Sequence, residues 1–451
     1  MIQFMNGPLN SSITYLGKII VTIYYIASMS ISVFLQLILL RCRSRPKILN
    51  KVTTFLLVIA ILIYVSTICT YLYVHEYIES RGDAKYFIMT SLKTLHGLNP
   101  YTPPYPCAYG PTFLIVISPL YFLPTGFRIV VYGLLIHLTL IYIFYRIVIM
   151  YMHRQEFKKY YVATALVLSL AINPHIHYSG ISLAQLDDLM LAVFIALFIY
   201  LISMKRFYLA SLVASIMIGI KLYMMLVLAP LYALLINMIE KRKYLKMITI
   251  TVLLILAPYV LAIMVFDDYF IENAIQIHLY RIGGFSLANS VVYLLGDNVR
   301  ILVSTSMKLL LILSILILCI YLALTNKRSA SVFEFYTKIP ITLLIATSTY
   351  FLLTPFLYAT YLIIQLLIIQ ICNVILILKA LEREDNTYVR SFIIHSVSIL
   401  YALTIIARLY DMFHEVKTTI VLLSFVHVVI QILTITICIR LLAWDKLYQR
   451  N

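Results

Sequence analysis

The 451-residue chain is 63% apolar and only 12% charged, about half the roughly 25% charged fraction of soluble domains. Apolar runs of the ~18 or more residues that read as membrane helices recur from the first fifty positions to the last fifty. The formal charge of +17 is spread over short Lys/Arg clusters between those runs, which fits loops and anionic headgroups and argues against nucleic acid.

Backbone groups in lipid have no water to pair with, so only helices or closed barrels span it. The period-2 alternation of barrel strands is absent, so the predicted class is an all-α polytopic membrane protein. The whole chain, 1–451, reads as a single integral membrane domain.

The first span, 13–40, ends in Arg41, Arg43, Arg45, Lys47 and Lys51, which places that loop in the cytoplasm and the amino terminus outside. Because this basic cluster follows the apolar run, the segment reads as an anchor rather than a cleavable signal peptide. A second span, 53–74, returns outward to a polar stretch at 75–111. The apolar piece 112–123, flanked and broken by Pro111, Pro119 and Pro124, is too short to cross and is predicted to be re-entrant. A third span at 127–150 lands on His153, Arg154, Lys158 and Lys159.

Spans then follow at 160–178, 188–204, 207–220, 222–239 and 246–266, with Lys205–Arg206 and Lys241–Arg242–Lys243 inside. A second polar loop, 267–300, precedes spans at 301–324, 338–356, 358–379, 391–410 and 418–441. The total is about thirteen, with the carboxyl terminus cytoplasmic and the protein in the cell membrane. Most Lys and Arg fall inside on this topology and most Asp and Glu outside. No internal repeat is evident, which counts slightly against secondary transport. Of the six cysteines, only Cys107 falls in an outer loop, so no disulfide framework is implied.

Chemistry is expected in the outer polar segments. Asp83 follows Gly82 just beyond the second span. Ile88, Leu92 and Leu95 recur at helical spacing with Lys85 and Lys93 on other faces, predicting an interfacial helix at 84–96. Asp83 then has two readings: the cap of that helix, or a catalytic carboxylate at the membrane boundary. The pairs Asp187–Asp188 and Asp267–Asp268 are of a type that binds hard cations. The spacing of His175 and His177 is too common to define zinc. Tyrosines at span ends fit an interfacial belt.

The run Asp83…Tyr86…Gly97-Leu98-Asn99-Pro100-Tyr101…Tyr109-Gly110-Pro111…Ser118-Pro119-Leu120…Leu123-Pro124 resembles the first outer loop and following helix of glycosyltransferase family 87. Three further stretches fall in the expected order. Ala184-Gln185-Leu186-Asp187 followed by Lys221-Leu222-Tyr223 is similar to a Gly-Gln-x-Asn segment and a later lysine. Asn289-Ser290 is similar to an Asn-(Gln)-Ser element, and Thr354-Pro355 to a late Ser/Thr-Pro helix end. Ala and Asp replace the Gly and Asn of the second block, and Tyr358 and Tyr361 stand where some members carry histidines.

The resemblance covers about 50–380. It implies a GT-C-like core at 51–380, preceded by an extra span and basic loop (1–50) and followed by carboxyl-terminal spans (381–451).

It also implies an inverting transfer with no cofactor and no obligatory metal, so metal independence is expected, with a divalent cation as the alternative. The donor would be a polyprenyl- or dolichyl-phosphate sugar (mannose or another hexose), and the acceptor a glycolipid, glycan or protein on the outer face. Membrane lipid is then a partner and nucleic acid is not. Asp83 would be the general base. Lys221, Arg281 and Arg408 would hold the donor phosphate, with Arg300 a further cation by topology. Tyr86, Asn99, Tyr101, Gln185, Asp187, His278 and Asn289 are substrate-binding candidates. Two of the cations have structural alternatives: Lys221 snorkelling to the interface, and Arg408 pairing with Asp411. The competing function is a transporter or lipid-linked sugar flippase.

Overall fold

The computed structural model describes residues 8–41, 46–80, 83–152, 159–325, 332–382 and 387–448. Gly82, Arg43, Arg45 and the cluster His153, Arg154 and Lys158 lie outside the described residues. The chain forms α1 (Pro8–Arg41), α2 (Pro46–Tyr73), α3 (His75–Glu79), α4 (Ala84–Leu95), α5 (Pro111–Ile117), α6 (Arg128–Tyr151) and α7 (Lys159–Ala171). Then come α8 (Pro174–His177), α9 (Leu186–Ser203), α10 (Phe207–Ile220), α11 (Met224–Leu235), α12 (Lys241–Phe270) and α13 (Ile277–Tyr280). The series closes with α14 (Leu287–Leu295), α15 (Arg300–Thr325), α16 (Val332–Leu353), α17 (Leu362–Glu382), α18 (Thr387–Phe413) and α19 (Lys417–Tyr448). Two-residue strands, β1 (Gly283–Gly284) and β2 (Phe356–Leu357), pair in parallel.

The protein is an all-α polytopic membrane protein: nine helices among the described residues are long and apolar enough to cross a bilayer. Four shorter apolar helices, Val162–Ala171, Phe207–Ile220, Met224–Leu235 and Thr337–Leu353, stand where the sequence predicts the remaining spans. The predicted span 160–178 is broken. Pro174 has no N–H to continue the helix, and the Asn173 side chain accepts the His175 and Ile176 amides to start α8. The predicted re-entrant piece is the seven-residue α5 followed by a 3₁₀ turn at Ser118–Phe122.

Centre and periphery separate clearly. The span within Ala359–Leu378 is 94% buried and that of Leu186–Ser203 83%, against 11% and 17% for those in Lys241–Gln276 and Asp297–Thr325. Lipid is as apolar as leucine, so burial at the centre is marked by polar side chains that bond across helices. Gln365 and Gln431 exchange amide hydrogen bonds at 2.6 and 2.8 Å, joining α17 to α19. Asn373 donates to Gln36 at 2.9 Å and accepts from Ser396, tying α17 to α1 and α18.

Helix α4 lies where the interfacial helix is predicted; it packs on the protein through Ala84, Phe87, Thr90 and Ser91 and leaves Ile88 and Leu92 half-buried and Leu95 exposed. Lys93 is buried as well. Its ammonium donates to the carbonyls of Thr102 (2.5 Å) and Pro104 (2.8 Å), because the following loop folds back over the helix. The same loop buries Cys107 and pushes its thiol up to about 12, chiefly by desolvation. A membrane-impermeant maleimide applied to intact cells is therefore expected to spare Cys107. It should label a cysteine placed at Leu98, which is 59% exposed, and miss one placed at Met204 beside the Lys205–Arg206 cluster. Labelling at 204 but not at 98 would invert the topology.

Candidate active site

Four chain segments meet around Asp83. The first is α4, whose start is Asp83. Its side chain makes no cap hydrogen bond; instead Oδ2 accepts from Gln185 Nε2 at 2.8 Å, across 102 residues of sequence. The capping alternative thus loses its defining contact.

The second is the turn before α9. Ala184 has φ +56, a left-handed conformation that suits glycine best and costs other residues about 1–2 kcal/mol. That is the position at which the family pattern has Gly. Gln185 follows immediately, and its own amide is held by the Ser179 carbonyl at 3.2 Å.

Asp187 and Asp188 open α9, where a helix amino terminus favours negative charge. Both are buried and both grip the ammonium of Lys221, the residue after α10: Asp187 Oδ2 and Asp188 Oδ1 each lie 2.6 Å from Nζ. Lys221 does not snorkel. Its ammonium sits 4.6 Å from the Tyr361 ring centroid and 5.8 Å from that of Tyr109. The other oxygen of Asp187, Oδ1, is buried without a hydrogen-bond partner. A buried acceptor left unmatched costs roughly 1–3 kcal/mol, which makes it a natural seat for a ligand hydroxyl.

The approach of the first loop to Lys221 rests on two glycines. The Gly110 amide donates to the Ile220 carbonyl at 3.2 Å. A Cβ at Gly110 would strike the Gly219 carbonyl, and one at Gly219 would strike the Thr112 side chain. Tyr109 is thereby carried over the Lys221 ammonium.

The remaining segment joins the late blocks of the sequence pattern. Gly283 and Gly284 pair with Phe356 and Leu357, and a Cβ on Gly284 (φ +67) would collide with the Leu357 carbonyl. Ser286 donates to the Pro355 carbonyl at 2.8 Å and accepts the Asn289 amide, while Asn289 Nδ2 bonds the Gly284 carbonyl at 2.7 Å. Asn289 is thus committed to holding this turn. The turn places the Arg281 guanidinium 3.8 Å above the Phe356 ring. Among the described residues, Arg281 has no carboxylate within ion-pair range. Its charge still reaches Asp83 and favours the ionised form.

The other candidates divide. Asn99 Oδ1 accepts the Tyr101 amide at 2.9 Å, forming the loop turn. Tyr101 is fully buried against Phe266 and Phe270. Tyr86 is exposed and meets Tyr105 edge-on. His278 bonds the Ala108 carbonyl at 2.8 Å. Arg408 belongs to a different polar cluster, bonding Thr22 at 3.2 Å and facing the rings of Tyr25 and Tyr178. Arg300 approaches Asp297 at 3.9 Å on the surface.

Sequence reasoning did not single out Asp188, Tyr109 or Tyr361 as site residues. Asp188 was legible only as half of a possible cation pair, and Tyr361 only as an occupant of the late position. Among the described residues, no group of three or more His, Cys, Asp or Glu side chains converges as a metal cluster.

Burial raises the affinity of Asp83 for its proton above the ordinary carboxylate value of 3.8. The charge of Asp187 adds to this, while the Gln185 hydrogen bond, Lys221 and Arg281 oppose it. The arrangement is a half-buried carboxylate of raised proton affinity with an oriented oxygen, next to a carboxylate–ammonium–carboxylate triad and a guanidinium.

Fold and site together define a polytopic membrane protein with a carboxylate centre built at helix ends. The family model for glycosyltransferase family 87 matches residues 108–355, more than half of the chain, and the chain belongs to that family. It is a membrane glycosyltransferase. Comparisons with curated proteins and with solved structures return no match. The matched segment carries Gln185, Asp187, Asp188, Lys221, Arg281 and Asn289, and Asp83 precedes it.

Proposed function

We propose that this glycosyltransferase moves a hexose from a polyprenyl-phosphate donor to a hydroxyl of a glycolipid, glycan or protein acceptor, with inversion and with Asp83 as general base. The observation that carries the reading is the 2.8 Å bond from Gln185 to Asp83 Oδ2. It ties a carboxylate from the first polar loop to the start of α9, where Asp187 and Asp188 hold Lys221. As the acceptor oxygen attacks the anomeric carbon, its proton passes to Asp83 and the carbon–oxygen bond to the lipid phosphate breaks. The departing phosphate is already a stable anion and needs a cation rather than an acid.

Arg281 suits that task, since a guanidinium pairs with phosphate oxygens in a planar fork. Lys221 spends two of its three N–H donors on Asp187 and Asp188 and keeps one for the donor phosphate. Because the ammonium occupies the carboxylate pair, the donor set supports a metal-independent site. Asp187 Oδ1 is free to receive a sugar hydroxyl. The charged groups gather at helix ends, whereas a transporter is expected to bind near mid-membrane between related halves.

The test is transfer of labelled sugar from polyprenyl phosphate by purified protein across pH. Asp83 must be ionised to act, and its proton affinity is raised. The acid limb of kcat/KM is therefore expected above the ordinary carboxylate range, with activity lost as pH falls through it. In Arg281→Gln a cation that favours the carboxylate is gone, so the limb should move further up and the lipid phosphate should bind more weakly. A limb at the usual carboxylate value, unmoved by Arg281→Gln, would remove Asp83 from the chemistry.

A further inference from the structure

A second feature lies at the other end of α10. Its 14 residues rise ~1.5 Å each, so its start is ~20 Å from Lys221. There Lys205, Arg206, Phe207, Tyr208, Leu209 and Lys243 line a cleft of about 370 Å³, within the size range of small-molecule sites.

Local chemistry builds it. The Lys205 amide bonds the Ile202 carbonyl and the Arg206 amide bonds the Leu201 carbonyl, with Lys205 at φ +57. This closure of α9 occupies the Leu201 and Ile202 carbonyls and sets two cations side by side at the start of α10. Lys243 comes from α12, which packs along α10 and begins at the same membrane face.

The charge balance favours an anion. Among the described residues, Lys205 and Arg206 have no carboxylate within ion-pair range. Lys243 has only Glu240, at 3.0 Å, with both side chains more than half exposed. Lys241 and Arg242 add further positive charge next to it. Tyr208 and Leu209 are 47% and 46% exposed beside these cations. A cation-lined cleft with an apolar wall, at the ends of membrane helices, matches a phosphate attached to an acyl glycerol rather than a free solute.

We propose that this cleft binds the phosphate headgroup of an anionic phospholipid in the leaflet away from Asp83. The site is independent of the catalytic reading, because α10 separates its residues from Lys221.

Native mass spectrometry of the full-length protein tests this, with phosphatidylglycerol and phosphatidylcholine added in turn and inorganic phosphate as competitor. Phosphatidylglycerol should be retained in preference to phosphatidylcholine and should resist millimolar phosphate. The triple variant Lys205→Gln, Arg206→Gln, Lys243→Gln should weaken its binding about a hundredfold, at roughly a factor of five per cation. Glu240→Gln, an exposed change that removes the competing carboxylate, should tighten binding, a gain that misfolding cannot mimic. Equal retention of both lipids, an unchanged triple variant, or no gain in Glu240→Gln would each overturn the assignment. Displacement by inorganic phosphate would make the cleft a free-phosphate site and likewise reject the lipid.

Discussion

Asp83→Asn is expected to leave the protein folded and to lower sugar transfer by ~10²–10⁴, the range lost with a general base. The substitution is nearly isosteric. Its amide oxygen can still accept from Gln185, so the 2.8 Å contact and the start of α4 persist. What disappears is the capacity to take a proton. The measurement is turnover of a polyprenyl-phosphate sugar by monodisperse protein, alongside its melting temperature. If Asp83 acted only at the helix start, transfer would stay near normal, and Asp83→Ala would cost stability by about 1 kcal/mol. Because the side chain makes no cap bond, Asp83→Ala is expected to be milder than that. Wild-type turnover in Asp83→Asn would redirect attention to Asp187, whose Oδ1 is buried without a hydrogen-bond partner.

Lys221→Ala should have the largest effect on stability. Two buried carboxylates share one ammonium at 2.6 Å each, and removing the shared cation leaves two like charges facing each other in a low-dielectric interior. Breaking a buried pair in this way costs about 3–5 kcal/mol. The variant should therefore melt well below wild type and lose transfer. Lys221→Arg should retain part of both, limited by the fit of a planar fork in a space built for a compact ammonium. The decisive comparison is Lys221→Met combined with Asp187→Asn and Asp188→Asn. With no charge left to strand, stability should return while activity does not. A snorkelling lysine would predict almost no melting shift in Lys221→Ala.

The sequence by itself determined the class, the order of most elements and the identity of the site-bearing blocks. Hydropathy is a local quantity summed over about twenty residues, so α2, α6, α12 and α15 could be placed without knowing their neighbours. The helix break near Lys221 also has a local cause, a charge between two apolar runs, whereas the break at Pro174 falls inside a segment expected to be one span. The family-like blocks at 83, 184–187, 221, 289 and 354–355 were readable in order.

Their meeting was decided by tertiary structure alone. Nothing local states that Asp83 accepts from Gln185 instead of capping α4, or that Lys221 is neutralised between Asp187 and Asp188 rather than reaching for water. Those outcomes depend on which helices cross and how closely, and the crossing depends on Gly110 and Gly219 allowing backbone contact.

Packing also buries Lys93, expected on a polar face of the interfacial helix, and Cys107, expected in an outer loop. The loop after α4 returns over the helix and supplies carbonyls to the ammonium. Arg408 and Arg281, which topology had grouped as outer-face cations, face different rings, Tyr25 and Tyr178 for the first and Phe356 and Tyr358 for the second. A charge near a span end is visible in sequence, but its partner lies on another helix and is chosen by packing geometry. Interactions between helices fall off within a few ångströms, whereas the hydrophobic signal that places each helix does not depend on its neighbours.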